Sequence, residues 1–186
     1  FEVNMKEIGV LFGGYSSEYK VSVLSGEFVY QNIKDNPDWN VYKICISRDK
    51  NFVEYRDREF DLNLNNFTFI IDNKTINLDA VFNIIHGDPG ENGILANILE
   101  KNNIPQTACD SYVSKLTFNK KKYLEFTRNL NIPSSYQILI KKNDRIDIKK
   151  ISNKINIPCI VKPNNGGSSI GLSKVNNSDK LFDKIK

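Results

Sequence analysis

Pro158-Cys159-Ile160-Val161-Lys162-Pro163-Asn164-Asn165-Gly166-Gly167-Ser168-Ser169-Ile170-Gly171-Leu172-Ser173-Lys174-Val175 joins an apolar β-rich run, a lone lysine, a proline stop and a loop of glycines and serines. Alternation resumes at Ile170, so the stretch predicts a strand, a flexible polar loop and a second strand. Glycine lets a backbone approach a ligand closely, and loop N–H groups with serine hydroxyls can cradle phosphate oxygens. Lys162, fixed on the first strand, adds a positive charge beside that loop. A Walker A loop is excluded: Gly166 and Gly171 have its glycine separation, but Leu172 stands where its lysine is required. An ordinary glycine-rich hairpin with a surface lysine is the competing reading, and this stretch alone leaves both open.

The surrounding chain sets the scale. Its 186 residues suffice for one domain or two small ones, and 40% hydrophobic with 26% charged residues is the balance of a globular protein. The net charge of +4 is a mild excess, carried by short lysine runs such as Lys120 to Lys122 without interleaved aromatics. Solvated helix faces account for these runs, and no nucleic-acid partner is expected. Cys45, Cys109 and Cys159 are far apart and odd in number, so neither a disulfide framework nor a zinc cluster is suggested. They are expected to be reduced core thiols of a cytoplasmic protein. No apolar stretch reaches the length of a membrane span. Met5-Lys6 is expected to be the natural start, with nothing functional in Phe1 to Asn4.

Residues 7–12 predict a short buried strand broken by Gly13-Gly14. The following Tyr15-Ser16-Ser17-Glu18 offers a serine cap to a helix whose apolar positions Val21, Leu24, Phe28 and Val29 recur at helical spacing. A glycine turn leading into a helix N-terminus is expected to present free N–H groups to a carboxylate or phosphate. Glu18 in the same turn suits an ammonium group, although an acid there is equally a plain dipole partner.

A second strand is expected at 41–47, and short β pieces at 52–55, 67–71 and 75–78 predict a hairpin-like insertion at the sheet edge. Residues 78–85 form the most continuous apolar run of this half, consistent with a central parallel strand. The run ends in His86-Gly87-Asp88-Pro89-Gly90-Glu91-Asn92-Gly93, from which a helix (94–101) departs. In open α/β sheets ligands sit outside the carboxyl ends of the strands, and both glycine loops fall at such ends. His86 is the only histidine; its place before a loop with two acids points to function, and an isolated structural histidine is the alternative. The Pro-containing connection after Asn103 marks the expected domain boundary, dividing the chain into 1–106 and 107–186. Beyond it the pattern predicts a short cap or turn at 111–116, a helix at 117–131, a strand at 136–140 and a helix at 147–155. Strands at 158–162 and 169–175 and a helix from 179 to 186 follow.

Three motifs thus stand in order: Gly13-Gly14-Tyr15-Ser16-Ser17-Glu18 with Val21-Ser22; His86 through Gly93; and Val161-Lys162-Pro163 with Gly167-Ser168-Ser169-Ile170-Gly171. Together they resemble the first two thirds of the D-alanine D-alanine ligases, ATP-grasp enzymes of cell-wall synthesis, over essentially the whole chain from Met5. The resemblance implies an α/β fold: a Rossmann-like (preATP-grasp) parallel sheet with helices on both faces, then most of a small α+β ATP-grasp domain. It implies ligation of two D-alanines to D-alanyl-D-alanine for peptidoglycan through an acyl phosphate, with ATP and magnesium. By the same resemblance Glu18 binds the ammonium of the first D-alanine, and Ser168 links with that glutamate and positions substrate. His86 lies beside the first substrate's carboxylate, Gly14 lines the same subsite, and Glu91 supports the loop. Lys120 and Lys162 grip ATP phosphates, and Gly167, Ser168 and Ser169 belong to the loop that closes over them. A homodimer through the first domain is also implied.

Two positions depart from the family pattern, which usually has aspartate where this chain has Asn92 and Asn119. The family's adenine-binding strand, second-substrate loop and the C-terminal domain with its magnesium ligands have no counterpart here, so the chain is expected to be a fragment, or a part of a longer chain, and inactive alone. A D-alanine D-lactate type ligase, another ATP-grasp carboxylate-amine ligase and a non-catalytic nucleotide-binding module are the alternatives. Glu18 separates the last from the rest, since a nucleotide module needs no carboxylate aimed at an ammonium group.

Overall fold

In the computed structural model of the protein, residues 5–185 are described; the expectations for Phe1 to Asn4 and for a helix reaching Lys186 lie outside them. The contacts divide the chain into two compact units, Phe1–Lys115 and Leu116–Lys186.

The first unit is built on β1 (Lys6–Gly13), whose last six residues are all buried. A strand covered on both faces needs an unbroken apolar run, which Ile8 to Phe12 supplies around the small Gly9. It pairs in parallel with β2 (Trp39–Ile46) on one side and β7 (Ala80–Asn83) on the other. β3 (Phe52–Tyr55) and β4 (Arg58–Asp61) extend the sheet antiparallel from β2, giving the order β4-β3-β2-β1-β7. The insertion expected at the edge therefore splits: β3 and β4 join the main sheet, while β5 (Thr68–Ile71) and β6 (Lys74–Asn77) form a separate hairpin. The run at 78–85 is shorter as a strand than its apolar length, and of the three parallel strands β1 rather than β7 is the middle one. A parallel bridge from Val81 to Gln106 and a Thr107 N–H to Val81 carbonyl bond line the outer side of β7. These bonds, with Glu100 accepting from both the N–H and the hydroxyl of Ser111, fasten residues 107–115 to the first unit, so the division falls later than the proline connection suggests.

Successive residues of a strand face opposite ways. Leu11 packs with Ile44, Ile46, Val53 and with Leu95 and Leu99 of α2 (Ile94–Lys101), whereas Phe12 meets Gly26 of α1 (Tyr19–Ile33). Helices thus cover both faces of the sheet. The orientation of α1 departs from expectation: its buried residues are Ser22 and Gly26, while Val21, Leu24 and Phe28 are 54%, 74% and 70% exposed. Cys45 is buried as expected, but Cys109 is exposed and Cys159 half-buried; all three are free thiols.

In the second unit the helix expected at 117–131 is interrupted. α3 (Ser111–Phe118) ends and α4 (Lys120–Asn129) begins at Asn119, whose extended backbone bridges Asn165 and whose side chain accepts the Lys122 N–H. Asparagine caps a helix as well as aspartate does, so the departure at this position leaves the local geometry intact. Asp147 caps α5 (Ile148–Ser152) in the same way. β8 (Cys159–Val161) and β9 (Ser173–Val175) pair antiparallel, and a 3-10 turn (Ser178–Lys180) leads into α6 (Leu181–Ile185). The strand expected at 136–140 does not form: an alternating pattern becomes a strand only with a ladder partner, and this segment has none among the described residues.

Candidate functional site

Two groups of the expected site residues form, one in each unit. In the first, the chain leaves the carboxyl end of β1 through Gly13-Gly14 and enters α1 at Glu18, the N-cap residue. Three N–H groups of the glycine turn are engaged within the protein. Gly13 donates to Ser22 Oγ at 2.9 Å, Gly14 to the Ile46 carbonyl at 2.7 Å and Tyr15 to the Asp88 carbonyl at 2.6 Å. Gly14 serves close approach: at φ +99° a Cβ would stand 2.7 Å from Ile85 Cγ2 and 3.0 Å from the Asp88 carbonyl. The serine expected to cap α1 is used otherwise, since Ser16 Oγ accepts the Glu18 N–H at 3.1 Å and donates to the His86 carbonyl at 2.8 Å.

Glu18 is only 6% exposed. Its carboxylate lies against Gly87, where a Cβ would come within 3.3 Å of Glu18 Oε2 and 2.8 Å of Ser16 Cβ; with φ at +73°, only glycine suits that position. Glu18 and the His86 backbone therefore share one neighbour. Glu91 fixes the turn that follows, accepting the Gly87 N–H on Oε2 at 2.8 Å while its own N–H donates to the Gly87 carbonyl at 2.7 Å. The Asn92 amide donates to Asp88 Oδ1 at 2.7 Å and its carbonyl oxygen accepts the Ile94 N–H. An aspartate at 92 would set two carboxylates together, so asparagine is the residue this loop requires beside Asp88. Tyr19, next to Glu18, shares a hydrogen bond with Cys45 Sγ; that contact, with burial, pushes its phenol up to about 12. Burial pushes the Cys45 thiol up as well.

In the second unit Lys162 follows β8, and Lys120 opens α4. Both line a cleft of about 180 Å³ with Gly166, Gly167, Ser168 and Ser169. That volume is below the roughly 300–1,000 Å³ of a pocket for a drug-sized ligand, so it suits phosphates rather than a whole nucleotide. Lys120 Nζ donates to the Gly166 carbonyl at 2.6 Å. Asn164 ties the two lysine-bearing segments together: its carbonyl accepts the Lys120 N–H and its side-chain oxygen the Lys121 N–H. At the loop tip Ile170 N–H donates to the Gly167 carbonyl, and the central Ser168 and Ser169 both adopt positive φ, 46° and 58°. Left-handed serines cost roughly 1–2 kcal/mol each, a strain found where a loop is shaped for a ligand.

Ser16, Ser22 and Asn164 carry this geometry without having been singled out by type and spacing. Ser16 and Ser22 stood within a quoted motif, but their partners 70 and 62 residues away leave no local pattern. Among the described residues no group of three or more His, Cys, Asp or Glu side chains could hold a metal ion. No helix among them is long and apolar enough to cross a membrane.

Comparison with known proteins agrees with the order of the motifs. The family model described as D-ala D-ala ligase N-terminus matches residues 7–109, and that described as D-ala D-ala ligase C-terminus matches residues 126–186. A D-alanine D-alanine ligase of Flavobacterium johnsoniae is 41% identical over 178 residues, covering 95% of this chain and 55% of its own length. One of Christiangramia forsetii is also 41% identical, over 97% of this chain and 56% of its own. The chain spans about half the length of the curated relatives it matches. Among solved structures, D-alanyl-alanine synthetase A of Vibrio cholerae superposes with a TM-score of 0.84 at 28% identity, over 98% of this chain and 55% of that one. The VanG D-Ala:D-Ser ligase of Enterococcus faecalis reaches 0.81 at 27% identity, over 97% and 58%.

Proposed function

Since the chain belongs to the D-alanine D-alanine ligase family, we propose that it supplies the first-substrate subsite and the phosphate grip of a ligase joining two D-alanines at the expense of ATP. One observation carries this reading: the buried Glu18 carboxylate lies against Gly87, directly after the only histidine of the chain. The Glu18 carboxylate is opposite in charge to the ammonium group of an amino acid, and His86, the residue before Gly87, is assigned to the carboxylate of the same amino acid. Glu91 holds the loop, and Gly14 lets the first glycine loop pack closely against Ile85 and the Asp88 carbonyl beside that subsite.

The second unit contributes two ammonium groups and a serine loop. Lys120 and Lys162 neutralise charge on the transferring phosphoryl group, with Gly167, Ser168 and Ser169 enclosing it; the Ser168 hydroxyl also positions substrate. The carboxylate of the first D-alanine takes the γ-phosphoryl group and ADP leaves. The amine of the second D-alanine then attacks the acyl carbon, phosphate departs and one proton is released. Exclusion of water by the loop protects the acyl phosphate from hydrolysis. No residue among these is assigned to magnesium. The reaction belongs in the cytoplasm, where ATP is available, and its product is a peptidoglycan precursor. Likeness to a D-Ala:D-Ser ligase means that the shared fold leaves the second substrate undetermined, and a D-lactate acceptor is the other reading.

ADP release by the whole protein, measured with ATP, magnesium and D-alanine, tests the proposal. ADP should appear only with D-alanine. Glu18→Gln should raise the KM for D-alanine at least about tenfold, the worth of one charged hydrogen bond, and leave that for ATP unchanged. ADP release independent of D-alanine, or an unaltered variant, would refute it.

A further inference from the structure

The first glycine loop and the histidine loop are joined by two hydroxyls acting alike. Ser22, fully buried on α1, accepts the Gly13 N–H at 2.9 Å and donates to the Ile84 carbonyl at 2.8 Å. Ser16 accepts the Glu18 N–H and donates to the His86 carbonyl. The acceptors are two residues apart on the segment that leads from β7 to the histidine loop. Ile84 itself is still held to β1 by its N–H to the Leu11 carbonyl. Each serine thus closes a link of the form loop N–H to hydroxyl to histidine-segment carbonyl, one on the sheet side and one at the tip.

We propose that Ser16 and Ser22 are positioning residues, whose bridging hydroxyls hold the Glu18 carboxylate and His86 in one frame so that a single amino acid meets both. This rests on the reading of those two residues as substrate groups. A hydroxyl is required because each position must donate and accept at once; alanine does neither and leaves a buried N–H and a carbonyl unpaired. Ser16 carries the larger functional share, being bonded to the backbone of both substrate residues. Ser22 carries the larger structural one.

Amide hydrogen exchange on the folded chain, with Ser16→Ala and Ser22→Ala compared with the parent, decides it. In Ser16→Ala, exchange should rise about five- to tenfold, the worth of one hydrogen bond, at Glu18 and also at Gly87 and Glu91, whose amides do not touch Ser16. Ile44 and Val10 amides in the sheet should be unchanged. A rise confined to Glu18 would show that the loops are not coupled, and an equal rise throughout the sheet would show a purely structural hydroxyl; either overturns the inference. Should Ser22→Ala not fold, Ser16→Ala alone decides. The imidazole signal of His86, the only histidine, can be followed during D-alanine titration of the same samples. D-alanine should shift it in the parent, with at least fivefold weaker affinity in Ser16→Ala; equal affinity would overturn the positioning role. A parent signal that D-alanine does not move would instead sink the substrate reading, while exchange still decides the coupling.

Discussion

At the scale of single residues, charge and burial set the testable quantities. Lys120 and Lys162 line the same small cleft, so each is expected to contribute a charge-assisted bond to bound phosphates of about 1.5–3 kcal/mol. Calorimetric titration with ATP should show Lys162→Ala weakened by about ten- to a hundredfold. Lys120→Ala should lose as much or less, because that lysine is already bonded to Gly166 and must exchange one acceptor for another. A second expectation concerns alkali. Tyr19 is pushed up to about 12 by its hydrogen bond to Cys45 and by burial, and Tyr42 is also pushed up, by burial and by its hydrogen bond to Glu7. Below pH 10 folded and unfolded chains both keep these phenols protonated, so nothing is lost. Between pH 10 and about 12 the unfolded chain releases protons that the folded chain retains, and stability falls as pH rises. Urea midpoints measured from pH 8 to 11.5 should therefore decline, and the decline should be shallower in Tyr42→Phe.

Helix α1 shows best how an element follows packing more than its own pattern. Its apolar residues at helical spacing predict a buried face at Val21, Leu24 and Phe28, yet the helix turns Ser22 and Gly26 to the sheet. Gly26 permits this: a Cβ there would stand 2.6 Å from Phe12 Cβ and 3.0 Å from its Cγ. Alanine at 26 gains up to about 1 kcal/mol of helix propensity, against about 1–3 kcal/mol for an overpacked contact. Packing wins, so Gly26→Ala should lower the urea midpoint although it removes a glycine from a helix. Ser22 supplies the other half of the explanation, since its hydroxyl has partners only on the sheet side. At Asn119 the apolar pattern runs through a helix break without a mark, because the bridge to Asn165 that interrupts it comes from a distant segment.

For the molecule as a whole, the stripe of Val21, Leu24 and Phe28 is the surface on which the proposed homodimer of the first unit is expected to form. An exposed apolar stripe on a helix marks an interaction surface, and a two-fold dimer needs a surface that matches itself. Sedimentation should show dimers for the parent chain and monomers for Leu24→Glu combined with Phe28→Glu, with the helix content unchanged because neither side chain is buried within the first unit. Dimers persisting in that variant would move the interface elsewhere.

The sequence by itself determined the strand–glycine turn–helix order that opens the first unit, the glycine loops that follow β1 and β7 and the residue types gathered there. These are local properties: a buried run, a glycine that breaks it and a cap that starts a helix are written within a few residues of one another. The motif order likewise sufficed for the family. Only the tertiary structure decided which N–H groups are free, which face of α1 is buried, where the chain divides and what Ser16, Ser22 and Asn164 hold. Each of these depends on partners distant along the chain, as far as 70 residues for Ser16 and His86, and a hydrogen bond or close contact across that separation leaves no trace in the spacing of the residues that make it.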